Sequence, residues 1–540
     1  MRTTAAIIAS LLIGGCGAYL EGDADQDDAN MDESLSSLGK GVVSTLRAKH
    51  PTTAGQTWGV AIDNSFASGW LLQTPPAEYW GQPSSALPVA TDCGNDAACD
   101  RDFHLIRCTS QADCRFGGRC SDVAATVTRP GEAARRMCVG HSDSFYDEIY
   151  KVITSAHSYV DIASLEAPDG RFEAAVRNAF TFLANDNRSV RVRLLYGAVP
   201  LRGRETAEVL TTLTRDLPAS SPLRISVGTY RTTVLSWNHT KLIGADGHVA
   251  IVGGHNMWTQ HYLQEAPVHD ISLRVTGTAA VDASKFANEL WQFTCHPPTN
   301  IGAVGEISAL PADESVCQHP FQLTSTAAAA LETGTVPVIT VGKLGGLDGD
   351  EGEDAILALL DSAQTQLRLS LQDIGGIGQG GPWPEHYLKS LAAALGRGVD
   401  IQLVLTTLRA LPGGLMVGSA SYSNGWTPAD VAHKLIEYAD AHPDVAGDIR
   451  SAVCAHLHVT SLRQGADDVW TNGAALANHA KLAIADDAAF YMGSQNWYPA
   501  QLSELGYIVD DAATTRGLLD SYYSKLWSAS SRVAANTCGL

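Results

Sequence analysis

Two separate stretches of the chain share one pattern of apolar and polar positions. Residues 149–166 begin with apolar residues at helical spacing, pass through a Ser-Ala step and end in strand-like alternation. Residues 356–373 repeat this order, with the Ser-Ala step at the same place. A change of period from 3.6 to 2 predicts a helix followed by a strand. The chain therefore contains an internal repeat.

Each copy of the repeat continues with a second predicted helix and a second predicted strand. These elements cover 172–183 and 190–195 in the first copy, and 387–395 and 401–405 in the second. Helices that alternate with strands indicate an α/β sheet protein. Two such copies predict a duplicated, pseudo-symmetric architecture.

A polar signature recurs in both copies. Each copy contains an imidazole, an ammonium, a carboxylate and a carboxamide, namely His239, Lys241, Asp246 and Asn256, and then His479, Lys481, Asp486 and Asn496. Lys follows His by two residues, Asp by seven and Asn by 17 in both copies. A single His-x-Lys carries little information. Two copies that agree at these positions, inside a repeat visible from other residues, favour a functional site.

The spacing of the signature has a physical reason. Alternate side chains of a strand share one face, so each His projects together with its Lys. A turn at the Asp reverses the chain, and the next apolar strand returns the Asn to the same neighbourhood. Two such sets related by a two-fold axis present two imidazoles among four donors, which fits a tetrahedral phosphate. At turn positions Asp246 and Asp486 are expected to bond backbone amides, so we assign them a structural role.

The composition restricts the partners of such a site. The 540 residues are 45% hydrophobic and 18% charged, which excludes a disordered chain and a coiled coil. Asp and Glu number 58 against 37 Lys and Arg, so the net charge is −21. Binding to a nucleic acid requires clustered cations, and no nucleic-acid partner is expected for so acidic a chain. Phosphate chemistry would therefore take place in a local basic pocket.

The first residues have the character of an export signal. Arg2 precedes a short apolar run, and small residues precede Cys16. The run is too short to span a bilayer. Its end resembles a bacterial lipobox, which predicts a cell-envelope lipoprotein lipidated at Cys16. The alternative is an ordinary signal peptide and a secreted protein. Residues 17–40 include seven acids between Glu21 and Glu33 and are expected to form a disordered tether.

The other ten cysteines are even in number, and export permits disulfide bonds. Six of them lie close together in sequence: Cys93, Cys99, Cys108, Cys114, Cys120 and Cys138. The cluster has no Cys-x2-Cys units, which favours a disulfide-stapled insertion over a zinc site, although the sequence does not choose among the pairings. Of the remaining four, Cys295 is paired with Cys317 because both lie between the halves. That choice leaves Cys454 with Cys538.

These motifs resemble those of the phospholipase D superfamily, whose members carry two His-x-Lys-x4-Asp sequences. The similarity is greatest to the secreted bacterial enzymes that act on phosphatidylcholine. It begins at about residue 35 and includes segments outside the motifs, at 70–75, 290–295, 336–342, 490–499 and 506–509. The main departure is the six-cysteine insertion, where the family has a shorter segment with a single cysteine pair.

The resemblance implies a transesterification through a phosphohistidine, without a metal or other cofactor. His239 would attack phosphorus, and His479 would protonate the leaving choline and then activate water. Four donors would stabilise charge on the non-bridging oxygens: Lys241, Lys481, Asn256 and Asn496. The implied partners are a phospholipid bilayer or micelle surface, and small alcohols that replace water in transphosphatidylation.

The family also orients each His with a carboxylate further along the chain. Asp270 matches the first of these, and Glu504 stands where the second is usually Asp. The exchange keeps the charge and adds a methylene, and the alternative for Glu504 is a surface acid. The resemblance further marks two Gly-rich turns as motif positions: Gly253, Gly254, Gly493 and Ser494.

Two Gly-rich loops, 375–384 and 413–426, are expected to edge the mouth of the site. Their larger apolar residues either contact lipid or pack locally: Trp383, Met416, Tyr422 and Trp426. Trp497 and Tyr498 follow Asn496 directly and are expected to line the pocket.

The sequence thus predicts a monomeric α/β phosphodiesterase that hydrolyses phospholipids. Two pseudo-symmetric phospholipase D-type α-β-α halves would meet at the active site. The predicted segments are a signal peptide (1–16), a tether (17–40), an N-terminal part of the first half (41–83), the cysteine-rich insertion (84–141) and the two halves (142–335 and 336–540). One alternative is a nuclease with the same site, which the acidic balance disfavours. The other is a surface lipoprotein without catalysis, which the intact His239 and His479 argue against.

Overall fold

A computed structural model describes most of the chain. The described residues are 33–200, 203–299, 302–318, 321, 334–347, 349–376, 381–408, 410 and 422–538. The predicted signal peptide with Cys16, most of the predicted tether, and Met416 lie outside the described residues. Within these ranges, no helix has both the length and the apolar character that a bilayer crossing requires.

The strands are short and, apart from one small hairpin, belong to two large sheets. In chain order they are β1 (Trp58–Asn64), β2 (Leu71–Thr74), β3 (Arg119–Val123), β4 (Arg135–Val139), β5 (Tyr159–Ser164), β6 (Arg191–Gly197), β7 (Arg224–Thr233), β8 (Ser236–Trp237), β9 (Leu242–Ala245), β10 (Val249–Gly253), β11 (Asp270–Thr276), β12 (Ile307–Leu310), β13 (Val336–Lys343), β14 (Gln366–Leu371), β15 (Asp400–Leu405), β16 (Leu457–Ser461), β17 (Lys481–Ala485), β18 (Ala489–Gly493) and β19 (Glu504–Val509).

The helices connect these strands. They are α1 (Ser37–Lys49), α2 (Ser144–Ser155), α3 (Gly170–Asn185), α4 (Thr206–Thr214), α5 (Thr259–Tyr262), α6 (Ala279–Cys295), α7 (Glu351–Ser362), α8 (Glu385–Gly396), α9 (Pro428–Ala441), α10 (Pro443–Ala446), α11 (Ile449–His456), α12 (Ala512–Leu518) and α13 (Ser524–Ser530). A π-helical turn, Leu519–Tyr523, joins the last two. The predicted helix–strand–helix–strand order of each repeat is confirmed by α2-β5-α3-β6 and α7-β14-α8-β15.

The two large sheets have the same core topology. The first has the order β12-β7-β6-β5-β9-β10-β11-β2, with β8 paired to β7, and the second has the order β1-β13-β19-β18-β17-β14-β15-β16. Three parallel strands, β5-β6-β7 or β14-β15-β16, form one side of each sheet. Antiparallel strands form the other side. The predicted α/β fold with two pseudo-symmetric halves is therefore observed.

The sheets pack face to face, with helices outside them. Inward side chains such as Val252 of β10 and Leu482 of β17 share one core with Phe286 and Leu290 of α6. Outward side chains of the first sheet pack with α2 and α3, and those of the second sheet pack with α1, α7, α8 and α9. Burial of a side chain such as Phe286 stabilises the fold by about 1.5–3 kcal/mol, so these three cores hold the layers in place.

The N-terminal segment departs from its predicted position. Residues 41–83 were expected in the first half, but α1 packs in the core of the second half and β1 pairs with β13. Only β2 joins the first sheet, through β11. The predicted tether also ends early, because Ser36 caps α1 and bonds the Asp510 carboxylate. The helix packs there because one face of α1 is apolar, and Leu38, Val42 and Leu46 on that face are buried in the core of the second half.

The cysteine-rich insertion is a small unit on the first half. It contains the β3–β4 hairpin and three disulfides, Cys93–Cys99, Cys108–Cys120 and Cys114–Cys138. The preference for disulfides over zinc is confirmed in these residues. Arg171 fastens the insertion to α3 by donating to the carbonyl oxygens of Phe103 and Ala90. The predicted pairs Cys295–Cys317 and Cys454–Cys538 are also confirmed.

The Cys454–Cys538 bond closes a long loop in the second half, because 84 residues separate its cysteines. Replacing both cysteines by Ser frees the C-terminal end in the unfolded chain, and we expect the free energy of unfolding to fall by about 2–4 kcal/mol. Urea unfolding followed by circular dichroism measures this change. A variant as stable as the wild type would contradict the expectation.

Candidate active site

An asparagine places each His-x-Lys segment at one edge of its sheet. Asn238 donates to the carbonyl oxygen of Ser164, the last residue of β5, and to that of Leu195, which lies near the end of β6. Asn478 makes the matching bonds to β14 and β15. Both histidines therefore lie where the parallel strands end. Sequence reasoning missed these two residues, although an Asn immediately before His in both copies was a usable signal.

Backbone hydrogen bonds then join each His-x-Lys segment to the opposite half. The amide of His239 donates to the carbonyl of Ser503 (3.0 Å), and the amide of His479 donates to the carbonyl of His269 (2.8 Å). Ser503 and His269 donate in return to the carbonyls of Trp237 and Ala477. Because Ser503 precedes Glu504 and His269 precedes Asp270, each histidine lies beside the carboxylate of the other half.

The carboxylates accordingly bond the imidazoles across the interface. Nδ1 of His239 lies 2.8 Å from Oε2 of Glu504, and Nδ1 of His479 lies 2.7 Å from Oδ2 of Asp270. Sequence order suggests the opposite assignment, with Asp270 as partner of the first His and Glu504 of the second. The crossed pairing follows from the backbone bonds between the halves. Glu504 is buried, so it is not a surface acid.

The two imidazoles lie close together, edge to face, in a buried site. Their ring centroids are 6.5 Å apart and the planes are inclined by 74°. With both Nδ1 atoms bonded to carboxylates, each Nε2 is the nitrogen available for chemistry. A centroid distance of 6.5 Å is short enough for both rings to contact one phosphate. The geometry on which a shared phosphate depends is therefore present.

Burial controls the charge of both rings. It lowers the pKa of His239 to about 4, although the neighbouring Glu504 carboxylate opposes this shift. Burial also lowers the pKa of His479 well below the usual value, and the ammonium groups of Lys481 and Lys241 act in the same direction. Above pH 4 or so, His239 is therefore neutral and its Nε2 carries a lone pair.

The two lysines are buried beside the rings. Lys241 donates to the backbone carbonyl of His239 at 2.7 Å, and Lys481 donates to that of His479. Burial lowers the pKa of Lys481 to about 8, against the opposing effect of Asp270 and Glu504. Burial also lowers the pKa of Lys241. Their positive charge is costly in this position, and an anion between them would offset that cost.

The two site asparagines hold unused hydrogen-bonding capacity. Within the described residues, the buried amide of Asn256 has no hydrogen-bond partner at either its oxygen or its nitrogen. Asn496 donates to the Tyr498 hydroxyl, but its buried oxygen is also without a partner there. Unpaired buried polar groups cost free energy, and they are common where a ligand binds. The structure thus brings both predicted His, Lys and Asn sets together.

The motif aspartates are set apart from this centre. The Asp246 carboxylate accepts the backbone amides of His157, Ser158 and Tyr159. Asp486 accepts the equivalent amides in the second half, from residues 364–366. These are the backbone bonds that the turn positions predict.

The Gly-rich turns differ between the halves because their carboxylates differ. A Cβ on Gly254 would lie 2.0 Å from Oδ1 of Asp270, and a Cβ on Gly253 would meet Ser272 at 2.3 Å. A Cβ on Gly493 would fall 2.4 Å from the Tyr491 hydroxyl. Ser494 occupies the place equivalent to Gly254, and its hydroxyl donates to Oε2 of Glu504 at 2.6 Å. The hydroxyl thereby holds the longer glutamate side chain.

Aromatic residues surround His479. The Tyr262 hydroxyl donates to Oδ2 of Asp270 (2.9 Å), and the Tyr422 ring packs edge-on against His479 with centroids 5.0 Å apart. Tyr422 also bonds Nδ1 of His261. Tyr422 is buried, so of its two predicted roles, lipid contact and local packing, the structure shows local packing. Tyr262 and His261 were not predicted, because nothing in the repeat marks them.

The other predicted aromatic residues divide among the core, the pocket and the loops. Trp497 is buried in the outer core of the second half, where it stacks on Tyr387, whereas Tyr498 bonds the site residue Asn496. Trp383 and Trp426 are partly exposed and pack against each other with ring centroids 4.8 Å apart. This contact joins the two Gly-rich loops that carry Trp383 and Trp426.

Possible metal ligands occur in the described chain only outside this centre. The two groups of closely spaced ligand atoms are Cys108, Cys114 and Cys138, and Asp92, Cys93 and Cys99. All these cysteines are in disulfides, and a disulfide sulfur is not a thiolate ligand.

Known proteins match this chain along most of its length. A family model described as cardiolipin synthase, PLD-like domain, matches residues 356–527. A phospholipase D from Streptomyces antibioticus is 30% identical over 552 aligned positions, which cover 92% of this chain and 88% of that protein.

Solved structures also align with the chain. Phosphatidylserine synthase from Haemophilus influenzae Rd KW20 aligns with a TM-score of 0.48 and 14% identity, over 72% of this chain and 85% of its own. The phospholipase D family member Nuc from Salmonella typhimurium aligns with a TM-score of 0.22 and 17% identity, over 35% of this chain and 96% of its own.

The contact between Gly254 and Asp270 predicts the effect of a single methyl group. Gly254→Ala would displace the carboxylate that holds His479, and we expect a loss of about 1–3 kcal/mol in the free energy of unfolding. Gly517→Ala is a matched control, because it lies in α12 with no atom within 4 Å of the added Cβ. The control should be neutral or slightly stabilising in urea unfolding. Equal stability of the two variants would contradict the close contact.

Proposed function

The chain belongs to the phospholipase D family and is a phosphodiesterase, and we propose that it hydrolyses phosphatidylcholine-type phospholipids to phosphatidic acid and free choline. The observation that carries this proposal is the pair of buried imidazoles 6.5 Å apart, each held at Nδ1 by a carboxylate. Two lysines and two asparagines around them supply donors for a phosphate. The 30% identical relative named phospholipase D supports the same substrate class.

The first chemical step forms a phosphohistidine. Nε2 of His239 attacks phosphorus with its lone pair, the bond from phosphorus to the choline oxygen breaks, and Nε2 of His479 gives its proton to that oxygen. The low pKa of His239 keeps the attacking ring neutral. Burial is the main cause of the low pKa of His479, and the Lys481 and Lys241 charges add to it. The negative charge of a bound phosphodiester acts in the opposite direction, so substrate binding favours the protonated acid.

The second step releases the lipid product. Nε2 of His479 takes a proton from water, the water oxygen attacks phosphorus, and the bond between His239 and phosphorus breaks to give phosphatidic acid. A small alcohol that replaces this water gives transphosphatidylation instead. Splitting one displacement into two is the usual advantage of a covalent intermediate.

The surrounding groups have separate roles in this scheme. Lys241, Lys481, Asn256 and Asn496 stabilise the charge on the non-bridging oxygens. Glu504 holds the Nδ1 proton of His239, and Asp270 holds that of His479, so each carboxylate fixes the tautomer and stabilises the imidazolium. The crossed arrangement makes each half depend on the other for a competent histidine.

The proposal extends to the cellular location of the enzyme. Five disulfides are consistent with an exported protein. We propose that residues 1–16 direct export and that lipidation of Cys16 retains the protein at the cell envelope as a monomer. Mass spectrometry of the N-terminal peptide of the mature protein distinguishes this lipoprotein from a secreted form.

A substrate panel tests the reaction class. We expect the purified enzyme to release choline from phosphatidylcholine and to leave a plasmid intact, because the acidic chain repels a polyanion. Head-group release from lipids with choline, ethanolamine, serine and glycerol head groups ranks the preference. Plasmid cleavage without lipid cleavage would replace the proposal with a nuclease.

Two substitutions test the roles of the histidines. We expect His239→Asn to reduce choline release by about a thousandfold or more, because it removes the nucleophile. His479→Asn should accumulate radiolabelled phosphatidyl groups on His239, because the second step lacks its base. His433→Asn, at an exposed position of α9, serves as the control with unchanged turnover. Label found on His479 of the wild type would reverse the two assignments.

A further inference from the structure

Most of the exposed large apolar side chains in the described residues lie along one edge of the molecule. They are Val234 (50% exposed), Leu235 (77%), Leu310 (40%), Leu347 (39%), Leu408 (47%), Val469 (38%) and Val533 (41%). Val234 and Leu235 follow β7, Leu347 follows β13, and Leu408 follows β15. Leu310, Val469 and Val533 do not directly follow such a strand end.

The strand ends that carry these side chains form the edge that contains the candidate active site. β7 and β15 run parallel to strands whose last residues bond Asn238 and Asn478. β13 is antiparallel to β19, and its last residue, Lys343, pairs with Glu504. Exposed apolar residues from both halves therefore lie along the same edge as the two histidines.

Three of these residues form one surface across the halves, which we call the edge patch: Val234, Leu235 and Leu347. Val234 and Leu235 are the tip of the β7–β8 hairpin, between the paired residues Thr233 and Ser236. The Thr232 hydroxyl of this hairpin donates to the carbonyl oxygen of Gly345, at 2.7 Å. The hairpin and the loop before Leu347 are thus held together.

The fold itself does not call for apolar residues in the edge patch. Two-residue hairpin turns favour Asn, Asp and Gly, whereas this tip is Val-Leu. Leu235 also precedes His239 by only four residues, so the tip lies within roughly 13 Å of that residue along the chain.

The charges near the edge patch are compatible with a lipid surface of no net charge. The hairpin segment 230–240 contains no Asp or Glu, whereas Asp348 and Asp350 follow Leu347, and the whole chain has a net charge of −21. Phosphatidylcholine pairs each phosphate with a cationic choline, so its surface does not repel these segments.

We propose that the edge patch inserts into the surface of phospholipid bilayers and micelles, and so holds the candidate active site against its substrate. The proposal rests on the proposed function, because it concerns how that substrate is reached. Leu235, as the most exposed member, is the leading residue, and the remaining apolar residues of the edge extend the contact on the second half.

The test compares aggregated and monomeric substrate. Turnover is measured for Leu235→Ser and for the double variant Val234→Ser/Leu235→Ser, on phosphatidylcholine vesicles and on short-chain phosphatidylcholine below its critical micelle concentration. We expect the ratio of vesicle to monomer turnover to fall about tenfold or more, because the variants lack the apolar side chain that would enter the lipid surface. Leu310→Ser is the matched control: it is exposed at the other end of the sheet, opposite Ile225, and its ratio should equal that of the wild type.

Sedimentation with vesicles measures binding independently of turnover. The wild type should sediment with phosphatidylcholine vesicles, and the Leu235 variants should remain largely in the supernatant. A wild-type ratio and wild-type sedimentation in the Leu235→Ser variant would overturn the proposal. So would a wild-type dimer that Leu235→Ser converts to a monomer, because a second copy would then cover the patch. If the wild type cleaves neither substrate, the proposed function fails, while sedimentation still decides the role of the patch.

Discussion

The exchange of hydrogen bonds between the two halves is the interaction on which the rest of the site depends. Each His-x-Lys segment bonds its backbone to the other half at the residue just before a carboxylate, Ser503 or His269. This register places Glu504 on His239 and Asp270 on His479. A half by itself would have an imidazole without its carboxylate and a carboxylate without its imidazole. Two copies of one motif thus make a single centre.

Burial of that centre supports both its charge state and its affinity for an anion. The low pKa values of the histidines and of the lysines have burial as their largest cause. Cations that are held away from water gain most from a negatively charged ligand, as do the unpaired amide groups of Asn256 and Asn496. A strongly acidic chain can therefore handle phosphate, because the relevant charges are local and buried.

The two halves have diverged around this shared plan. Asp270 is short and is held by the Tyr262 hydroxyl, with Gly254 leaving space for it. Glu504 is one methylene longer and is held by the Ser494 hydroxyl. Different supports for two equivalent imidazoles give them different surroundings, and different surroundings allow one ring to act as nucleophile and the other as acid and base. The apolar residues at the same edge join this centre to the surface from which a lipid would come.

Much of this molecule is determined by local sequence. Hydrophobic periodicity predicts the helices and strands of both repeats, turn chemistry predicts the backbone bonds of Asp246 and Asp486, and spacing identifies the His, Lys and Asn sets. Local patterns carry such information because each depends on neighbours a few residues apart. They do not determine which carboxylate meets which histidine, since 265 residues separate His239 from Glu504 and 209 separate Asp270 from His479.

The tertiary structure also decided matters that no local pattern records. It placed α1 and β1 in the second half and Tyr262 and Tyr422 beside Asp270 and His479. These outcomes depend on how two sheets pack and which strand edges pair, and that is a property of the whole chain. The amino-acid sequence by itself determined the elements and the chemistry that each half brings. Packing between the halves decided how those groups meet, because only there do distant segments exchange hydrogen bonds.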